Sequence, residues 1–485
     1  MIKWLVLGLG SFELFAAYYS VDNPAALHDQ LKEYFETSTQ MDFEIFFNAM
    51  YTVYSVPNVV LPFLGGYLID RYGPARMNTV FCSVLLVGQV ITAIGVLVKY
   101  EYLALVGRTV FGVGAESLCV GVSVLLASWF LGSNVAFAMG LSLSISRVGS
   151  VVNNVLSGIV ASSLALSFAF FLSAIFLTVG LVCAISVLQL EHKREDVEEN
   201  PVDEYSEGDL QGVTSEKTPT FRSVLRFPLT YWILCISCCS VYACVIPFHN
   251  VISAFLIERR CGGSCCAPGN DQCDAHLEAE KSASYIMGIP YAISGILVPF
   301  LGLMVDRFGG RALLTLVSAC SLFIVHMLLA LTSVTAIGPL ILLGLAYAVY
   351  AAALWPSIAL VVPKAEVGLA YGLMTALQNL VLSIVPLLVG LIRNKSGSYS
   401  IVEVLFSCLA GVGIIAGIAL NIDDTYLSNF GLNRKTTKFA CREETKSLGT
   451  SASDDVTEKA SLLLATNSDE PRSSEDTSLY RQKDV

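Results

Sequence analysis

Long runs of apolar residues, separated by short polar stretches, recur along the whole chain. A helix that crosses the hydrocarbon core of a bilayer needs about 20 predominantly apolar residues, and about twelve runs reach that length. We expect transmembrane helices near residues 2–20, 45–67, 78–98, 102–127, 136–160, 168–190, 229–256, 283–304, 312–334, 337–362, 367–392 and 401–421. The first run lacks the small-residue cleavage site of a leader peptide, so we expect it to be retained as the first helix.

The composition agrees with a membrane protein. Of the 485 residues, 54% are hydrophobic and 14% are charged, and the mean hydropathy is +0.66, outside the range of ordinary soluble domains. The formal net charge of −11 resides in polar loops and the tail, which leaves the apolar body slightly basic. Several short loops of this apolar body carry basic residues, which places those loops, and both termini, in the cytoplasm. These basic residues are Arg71, Arg76, Arg307, Arg311 and Lys364. Nothing here favours nucleic-acid binding.

An acidic segment divides the chain into two halves. We predict an amino-terminal six-helix bundle at 1–190, a flexible cytoplasmic linker at 191–228 and a second six-helix bundle at 229–421. A cysteine-rich loop at 258–281 falls on the lumenal side of the second bundle. The remainder, 422–485, is rich in Ser, Thr, Asp and Glu, and is predicted to be a disordered cytoplasmic tail.

Cysteines are concentrated in that lumenal loop. Most of the 14 cysteines lie in apolar runs, where a thiol behaves as a small hydrophobe. Cys261, Cys265, Cys266 and Cys273 instead share one short polar stretch on the oxidising side of the membrane. We expect two disulfides among them, with three alternative pairings, and a zinc site is the minor alternative.

The tail contains a short candidate sorting signal. Glu458, Leu462 and Leu463 form a pattern that resembles the acidic-dileucine signals of endosomal and lysosomal membrane proteins. The alternative interpretation is a chance pair of leucines in a polar tail. The pattern predicts a lysosomal membrane location, with the plasma membrane as the alternative.

Two loops, which we call the latch loops, share one pattern at Gly66–Arg76 and Gly302–Arg311. The shared positions are Gly66, Asp70, Arg71 and Arg76 in the first copy and Gly302, Asp306, Arg307 and Arg311 in the second. Glycine lets helix ends approach closely, and an aspartate beside a helix terminus can pair with the helix dipole or a neighbouring arginine. The need for a tight turn would explain the Gly and Asp residues in one loop, but hardly their recurrence at matching positions in a second loop.

The latch loops resemble the signature loop of the major facilitator superfamily and its echo in the second half. The resemblance covers the apolar body and implies an all-α membrane protein of twelve transmembrane helices in two pseudo-symmetric six-helix bundles. In such a transporter, cytoplasmic contacts that exist only in one state bias the exchange between states. The fourth run also contains Arg108, Gly112 and Gly114, which resemble the superfamily's Arg-and-Gly helix motif.

Two opposite charges are predicted at one depth. Glu116 precedes the turn between the fourth and fifth runs by as many residues as Arg147 follows it. Some 15 residues correspond to roughly 23 Å of helix, near the middle of the bilayer. One interpretation is a structural ion pair that touches no substrate. The other is a receptor for a zwitterion, whose amine and carboxylate would engage Glu116 and Arg147.

Polar and aromatic residues on other helices would complete a substrate pocket. The candidates are Tyr18, Tyr51, Asn58, Trp355, Gln378 and Asn379. Each is individually a weak signal, because many aromatic residues in membrane helices serve only packing.

Several strings resemble the lysosomal dipeptide transporter branch of the superfamily. They are Asp22–Leu27, Gly114–Leu118, Ser146–Ser150, Ala353–Pro356 and Ala370–Gly372 with Gln378–Leu380. The resemblance implies facilitative export of dipeptides to the cytosol, cationic ones included, with binding roles for Glu116 and Arg147. It also implies a glycosylated accessory membrane subunit, and a homodimer is a further candidate assembly.

Two other functions remain as alternatives. The chain could be a proton-coupled symporter of another small organic solute, with Glu116 or Glu13 as the proton carrier, or a non-transporting membrane scaffold. The sequence contains no phosphate-cradling loop, metal-ligand spacing or nucleophile-and-base constellation that favours an enzyme. We therefore predict no cofactor, no metal and no catalytic residue.

Overall fold

A computed structural model describes residues 2–35, 42–132, 134–199, 220–261, 286, 288–428 and 431–434. Its described elements are helical. They are α1 (Ile2–Val21), α2 (Asn23–Ala26), α3 (His28–Phe35), α4 (Phe43–Ser55), α5 (Leu61–Tyr72), α6 (Pro74–Leu97), α7 (Glu101–Phe130), α8 (Val135–Ser163), α9 (Leu166–Glu199), α10 (Leu229–Cys261), α11 (Ile289–Phe308), α12 (Arg311–Leu331), α13 (Ile337–Val361), α14 (Val367–Ser396) and α15 (Tyr399–Ile422).

The predicted number of membrane spans is confirmed within this described part of the chain. Eleven helices are long and apolar enough to cross a bilayer, and the bent pair α4 and α5 brings the number to 12. A short 3₁₀ turn at Val56–Val59, which contains Pro57, separates α4 from α5, and the two segments meet at 52°. Proline lacks the N–H that a continuous helix needs, so the second span breaks there.

Glycines end the helices that lead into the latch loops. Gly73 follows α5 with φ of +87°, and Gly309 follows α11 with φ of +76°. Residues with a Cβ rarely adopt such angles, whereas glycine adopts them readily. Each latch loop is therefore a sharp turn between two spans, and its Asp lies in the last helical turn before the glycine.

The spans pack as two halves, α1–α9 and α10–α15. In the first half α6 packs along α7 and α9, and α1 along α8 and α9. In the second half α12 packs along α13 and α15, and α10 along α15. The halves meet where α5 packs along α14 and α8 along α11. Swapping the two halves turns the α5–α14 contact into the α8–α11 contact. This is the pseudo-symmetry that the repeated loops predict.

Small residues bring helices of one half into close contact. At Gly88 of α6 an added Cβ would lie 2.4 Å from the Phe111 nitrogen, and at Gly95 it would lie 2.4 Å from the Ala104 nitrogen. In lipid, such close backbone approach supplies the packing that holds membrane helices together. The α6–α7 pair is thus a fixed unit of the first half.

Ordered structure extends into the predicted linker and tail. Helix α9 continues to Glu199, because the stretch after the membrane is rich in Glu, Lys and Arg, which are good helix formers. A 3₁₀ turn at Phe221–Arg226 precedes α10. After α15, a π-helical turn at Asp423–Leu427 has Asp423 and Asp424 buried, and the tail is therefore structured at its start.

Several predicted features lie outside the described residues. They are the middle of the linker, Cys265, Cys266 and Cys273 of the lumenal loop, and Glu458, Leu462 and Leu463 of the tail. Cys261 is the last residue of α10. The disulfide and sorting interpretations therefore stay predictions.

Candidate functional site

A cavity of about 410 Å³ lies between the two halves. Helices α1, α7 and α8 line it from the first half, and α10, α11, α13 and α14 line it from the second. Its volume falls in the range of about 300–1,000 Å³ that small-molecule sites occupy. Among the residues predicted for substrate binding, the cavity brings together Tyr18, Glu116, Arg147, Trp355, Gln378 and Asn379.

Glu116 faces this cavity from α7. The Tyr54 hydroxyl donates a hydrogen bond to its Oε1 atom at 3.3 Å. No ion pair joins Glu116 to a cation anywhere in the described ranges. A carboxylate in a partly buried cavity is costly unless hydrogen-bonded or paired, and one hydroxyl leaves most of its acceptor capacity open.

Arg147 faces the same cavity from α8. Its Nη2 atom donates to the Tyr347 hydroxyl at 3.1 Å. The guanidinium carbon lies 5.6 Å from the centre of the Tyr291 ring and 5.8 Å from that of Tyr347. Aromatic faces attract a cation but do not neutralise it. Arg147 has no carboxylate partner among the residues that the structure describes.

The expected contact between Glu116 and Arg147 is therefore not formed. Both residues line one cavity, as their equal distance from the α7–α8 turn predicts, but each is held by a tyrosine hydroxyl of its own. In the described state Tyr54 and Tyr347 are the hydrogen-bond partners of the two charges. What remains is a cavity with one unpaired charge of each sign.

Aromatic side chains form the wall of the cavity in the second half. Trp355 donates through Nε1 to the Tyr242 hydroxyl at 2.7 Å, and the Tyr371 hydroxyl donates to the Trp355 carbonyl at 2.7 Å. The Trp355 and Tyr371 rings stack with centroids 6.2 Å apart and an interplanar angle of 13°. These bonds fix the indole, so the wall is rigid before any substrate enters.

The amides of α14 connect this wall to the first half. Gln378 lines the cavity and accepts from the Cys238 thiol at 3.8 Å. Asn379 also lines it, and its Nδ2 atom donates to the Asn58 carbonyl at 3.1 Å. This last bond crosses between the halves.

Two predicted pocket residues do not line the cavity. Tyr51 lies against Arg108, with the guanidinium carbon 5.7 Å from its ring centre. The Asn58 side chain is buried and donates to the Tyr54 carbonyl at 2.9 Å, so its role is to shape the break between α4 and α5. On the same helix, Tyr54 rather than Tyr51 makes the hydrogen bond to Glu116.

Other cavity tyrosines were not among the predicted residues. Tyr242, Tyr291, Tyr347 and Tyr371 all line the cavity. Tyr371 lies in the string Ala370–Gly372 that carries the resemblance to the dipeptide transporter branch, but for Tyr242, Tyr291 and Tyr347 the only signal was their place within apolar runs. It could not identify them, because a tyrosine that packs in a membrane helix has the same signature.

The Arg-and-Gly motif of α7 holds helices rather than substrate. Arg108 is fully buried and donates to the Ser20 carbonyl at 3.2 Å and the Val21 carbonyl at 2.9 Å, which caps the end of α1. At Gly112 an added Cβ would lie 2.6 Å from the Tyr54 carbonyl oxygen, and at Gly114 it would lie 3.0 Å from that of Phe81.

The first latch loop contacts the second half through Asp70. Its Oδ1 accepts from the Gly368 N–H and its Oδ2 from the Leu369 N–H, both at 2.6 Å. At Gly66 an added Cβ would lie 2.1 Å from the Gly368 oxygen, so only glycine permits this approach. The N-terminus of α14 thus receives a carboxylate, which its dipole favours.

The second latch loop repeats the contact in the opposite direction. Asp306 accepts from the Ala136 N–H at 3.2 Å and from the Phe137 N–H at 2.9 Å, at the N-terminus of α8. At Gly302 an added Cβ would lie 2.5 Å from the Ala136 oxygen. Arg311 also pairs with Asp306 at 3.2 Å. Together the two contacts close the face that carries the latch loops, which we call the latch face.

Three predicted latch residues take no part in these contacts between halves. Arg71 is exposed and donates to the Tyr67 hydroxyl of its own helix at 3.3 Å. Arg76 is exposed, and Arg307 is exposed above Phe308. Their positions at a predicted cytoplasmic surface suit an interaction with the bilayer rather than with the other half.

Two pseudo-symmetric helix bundles around a charged cavity define a polytopic membrane transporter. The profile of the Major Facilitator Superfamily matches residues 12–259 and 275–452. The proton:xylose symporter XylE, in a structure with 6-bromo-6-deoxy-D-glucose bound, superposes with a TM-score of 0.65 at 12% identity, covering 90% of this chain and 98% of that one.

Sequence relatives narrow the assignment. The lysosomal dipeptide transporter MFSD1 of Mus musculus is 33% identical over 429 residues, which is 86% of this chain and 86% of the relative. That of Danio rerio is 32% identical over 440 residues, 88% of each chain. The chain belongs to the major facilitator superfamily and, within it, to the MFSD1-like transporters. It is a transport protein and not an enzyme.

Proposed function

We propose that the protein is a facilitative transporter, a uniporter, that moves dipeptides from the lysosome to the cytosol. The observation that carries the proposal is the pair of unpaired, opposite charges, Glu116 and Arg147, in one cavity of about 410 Å³. The similarity to proteins named lysosomal dipeptide transporter MFSD1 supports the substrate class and the membrane.

The proposed binding mode uses both charges. The substrate carboxylate would bind Arg147 through charge-assisted hydrogen bonds, and the substrate amine would bind Glu116. Each ionic group of the substrate would pair with a charge that the cavity has already partly desolvated, so the protein side loses little further hydration, and the pairing offsets the desolvation of the substrate. The tyrosine faces around Arg147 and the Trp355 wall would accommodate side chains, cationic ones included, since aromatic faces attract cations.

The proposed transport cycle is a rocker-switch. In the described state the Asp70 and Asp306 contacts close the latch face. Opening that face toward the predicted cytoplasm requires both contacts to break while the halves rotate about the cavity. Residues from both halves line the cavity, so the site would be carried through the change between them.

The location and assembly are part of the proposal. The predicted acidic-dileucine pattern at Glu458, Leu462 and Leu463 and the names of the relatives support a lysosomal membrane. The predicted glycosylated accessory subunit and homodimer would both use lipid-facing or lumenal surfaces of the bundles.

Dipeptide counterflow in proteoliposomes, with and without an imposed pH gradient, tests the proposal. We expect exchange that needs no gradient, and its loss in Glu116→Gln and Arg147→Ala. Arg226→Gln, which neutralises an exposed cation remote from the cavity, is the matched control. Absence of dipeptide flux in the wild type contradicts the function, whereas flux retained by both cavity variants contradicts only the site.

One observation favours a second function, proton-coupled symport. Glu13 of α1 is 1% exposed, and no ion pair joins it to a cation in the described ranges. It does not line the cavity, and buried carboxyl side chains within membrane spans are the groups that carry protons in pumps and transporters. In the same proteoliposomes, accumulation driven by a pH gradient and abolished in Glu13→Gln would replace uniport with symport.

A further inference from the structure

The segment Gly431–Arg434, which we call the clamp segment, returns from the last helix to the second latch loop. Gly310 donates its N–H to the Asn433 carbonyl at 3.2 Å, and Arg311 donates to the Leu432 carbonyl at 3.1 Å. The Leu313 N–H donates to Asn433 Oδ1 at 3.0 Å. These bonds satisfy the first amides of α12, which otherwise lack partners within the helix.

The clamp segment is itself held firmly. The Asp424 carboxylate accepts from the Leu432 N–H at 2.7 Å and from the Asn433 N–H at 3.1 Å. Asn433 also donates through Nδ2 to Asn421 Oδ1 at 3.1 Å. Leu432 is fully buried in the main hydrophobic cluster. The segment therefore ties the end of α15 to the start of α12 and is part of the folded body.

Among the described residues, no backbone segment passes over the turn of the first latch loop in this way, although the Phe221 ring stacks on Tyr67 of that loop with centroids 4.3 Å apart. At Gly309 an added Cβ would lie 2.5 Å from the Arg434 oxygen, so the clamp segment passes directly over this turn. At the equivalent Gly73 an added Cβ would meet nothing within 4 Å. The two Asp contacts are alike, but in the described chain only the second loop is clamped.

A short path leads from the clamp segment to the contact between halves. Leu432 holds the backbone of Arg311, whose side chain pairs with Asp306 at 3.2 Å. Asp306 in turn accepts from the N-terminus of α8. A fixed Arg311 orients the Asp306 carboxylate for those two amides, as a second shell orients a ligand.

We propose that the clamp segment is a positioning element that holds the second latch loop and thereby prolongs the state in which the latch face is closed. Asn433 is its central positioning residue, because it contacts the loop through both backbone and side chain. Within the described chain the clamp segment holds one latch and not the other, and a partner or modification that displaced the segment would shorten that state.

Amide hydrogen exchange on the purified protein tests this without a substrate. Exchange reports local opening of hydrogen bonds, segment by segment. The variants are Asn433→Ala in the full chain, a chain ending after residue 430 and, as the matched control, a chain ending after residue 435. The last keeps the clamp segment and removes only the remaining tail.

We expect Asn433→Ala and the shorter chain to exchange about three- to tenfold faster, the change that loss of ordinary hydrogen bonds produces. The acceleration should occur at 310–313 and also at Ala136 and Phe137. Gly368 and Leu369, which report the first latch, should not change, and neither should the control chain. If the shorter chain fails to fold, Asn433→Ala alone decides.

Two results would overturn the proposal. Acceleration at 310–313 with none at Ala136 and Phe137 would show that the clamp segment holds only its own loop. Equal acceleration at both latches would show general destabilisation of the fold.

Discussion

Asp70 and Asp306 make the same contact from opposite halves of the molecule. Each carboxylate accepts from the second and third residues of a helix in the other half, α14 for Asp70 and α8 for Asp306. The equivalent glycines, Gly66 and Gly302, let the backbones approach at those helix ends. The latch face is therefore closed by two contacts of one design, and the proposed transport cycle requires both to open.

We expect Asp70→Asn and Asp306→Asn to change turnover more than substrate affinity. Asparagine keeps the shape but removes the charge that the helix N-terminus stabilises, which contributes about 0.3–2 kcal/mol, and it replaces one of the two acceptor oxygens with an NH2 donor. Dipeptide counterflow should show a several-fold change in kcat with KM within about twofold, because the cavity is untouched. Arg71→Gln, at an exposed neighbour, is the control. A change confined to KM would contradict the separation of closure from recognition.

The glycines of the latch loops make a second prediction. Gly66→Ala and Gly302→Ala introduce a Cβ at 2.1 Å and 2.5 Å from a backbone oxygen of the other half, so the halves must separate on the latch face. Such overpacking costs about 1–3 kcal/mol. Distance measurement between spin labels on the two halves should show a wider latch face. Gly390→Ala on α14, whose Cβ would meet nothing within 4 Å, should leave the distance unchanged.

The sequence predicts the fold because the signals are long and repeated. Apolar runs of membrane length identify the spans, and the latch loops reveal the two halves. The prediction that Asp70 would meet a helix end came from chemistry alone, but which helix it meets depends on how the halves pack. That information is absent from a local pattern.

The prediction of the site had its firmest basis where depth could be counted. Glu116 and Arg147 flank one turn, so their equal spacing places them at one level of the cavity. Tyr51 was predicted for the cavity, but it lies against Arg108, and Tyr54, one turn further along the same helix, makes the hydrogen bond to Glu116. The ordered start of the tail was not predictable from composition, because it depends on Asp424 meeting two amides eight and nine residues further on.

Tyr347 should contribute to binding through its hydroxyl. It accepts from Arg147 at 3.1 Å and so sets the direction of the guanidinium. We expect Tyr347→Phe to weaken dipeptide binding about three- to tenfold, since one hydrogen bond to a charged group is lost and the ring remains. Ligand-induced thermal shifts measure the change. Tyr350→Phe, which removes a buried hydroxyl bonded to Ser237 outside the cavity, should lower stability without affecting the ligand-induced shift.

Dipeptides that lack one charged group should identify which cavity charge binds which group of the substrate. An N-acetylated dipeptide lacks the ammonium proposed to meet Glu116, and a dipeptide amide lacks the carboxylate proposed to meet Arg147. If the assignment is right, Glu116→Gln weakens binding of the free dipeptide by about tenfold or more. The same substitution should cause almost no loss of affinity for the acetylated dipeptide. Arg147→Ala should behave likewise with the amide. Such a cycle isolates the pairwise interaction, because each contact is removed once from either side.

The crossed combinations supply the control for this cycle. Glu116→Gln should still weaken binding of the dipeptide amide, which keeps its ammonium. Arg147→Ala should still weaken binding of the acetylated dipeptide, which keeps its carboxylate. Losses that add in every combination would mean that neither charge meets the group assigned to it, and that the two residues act on the fold of the cavity instead. A swapped pattern would mean that the dipeptide binds in the reverse orientation, with its amine toward the tyrosines around Arg147.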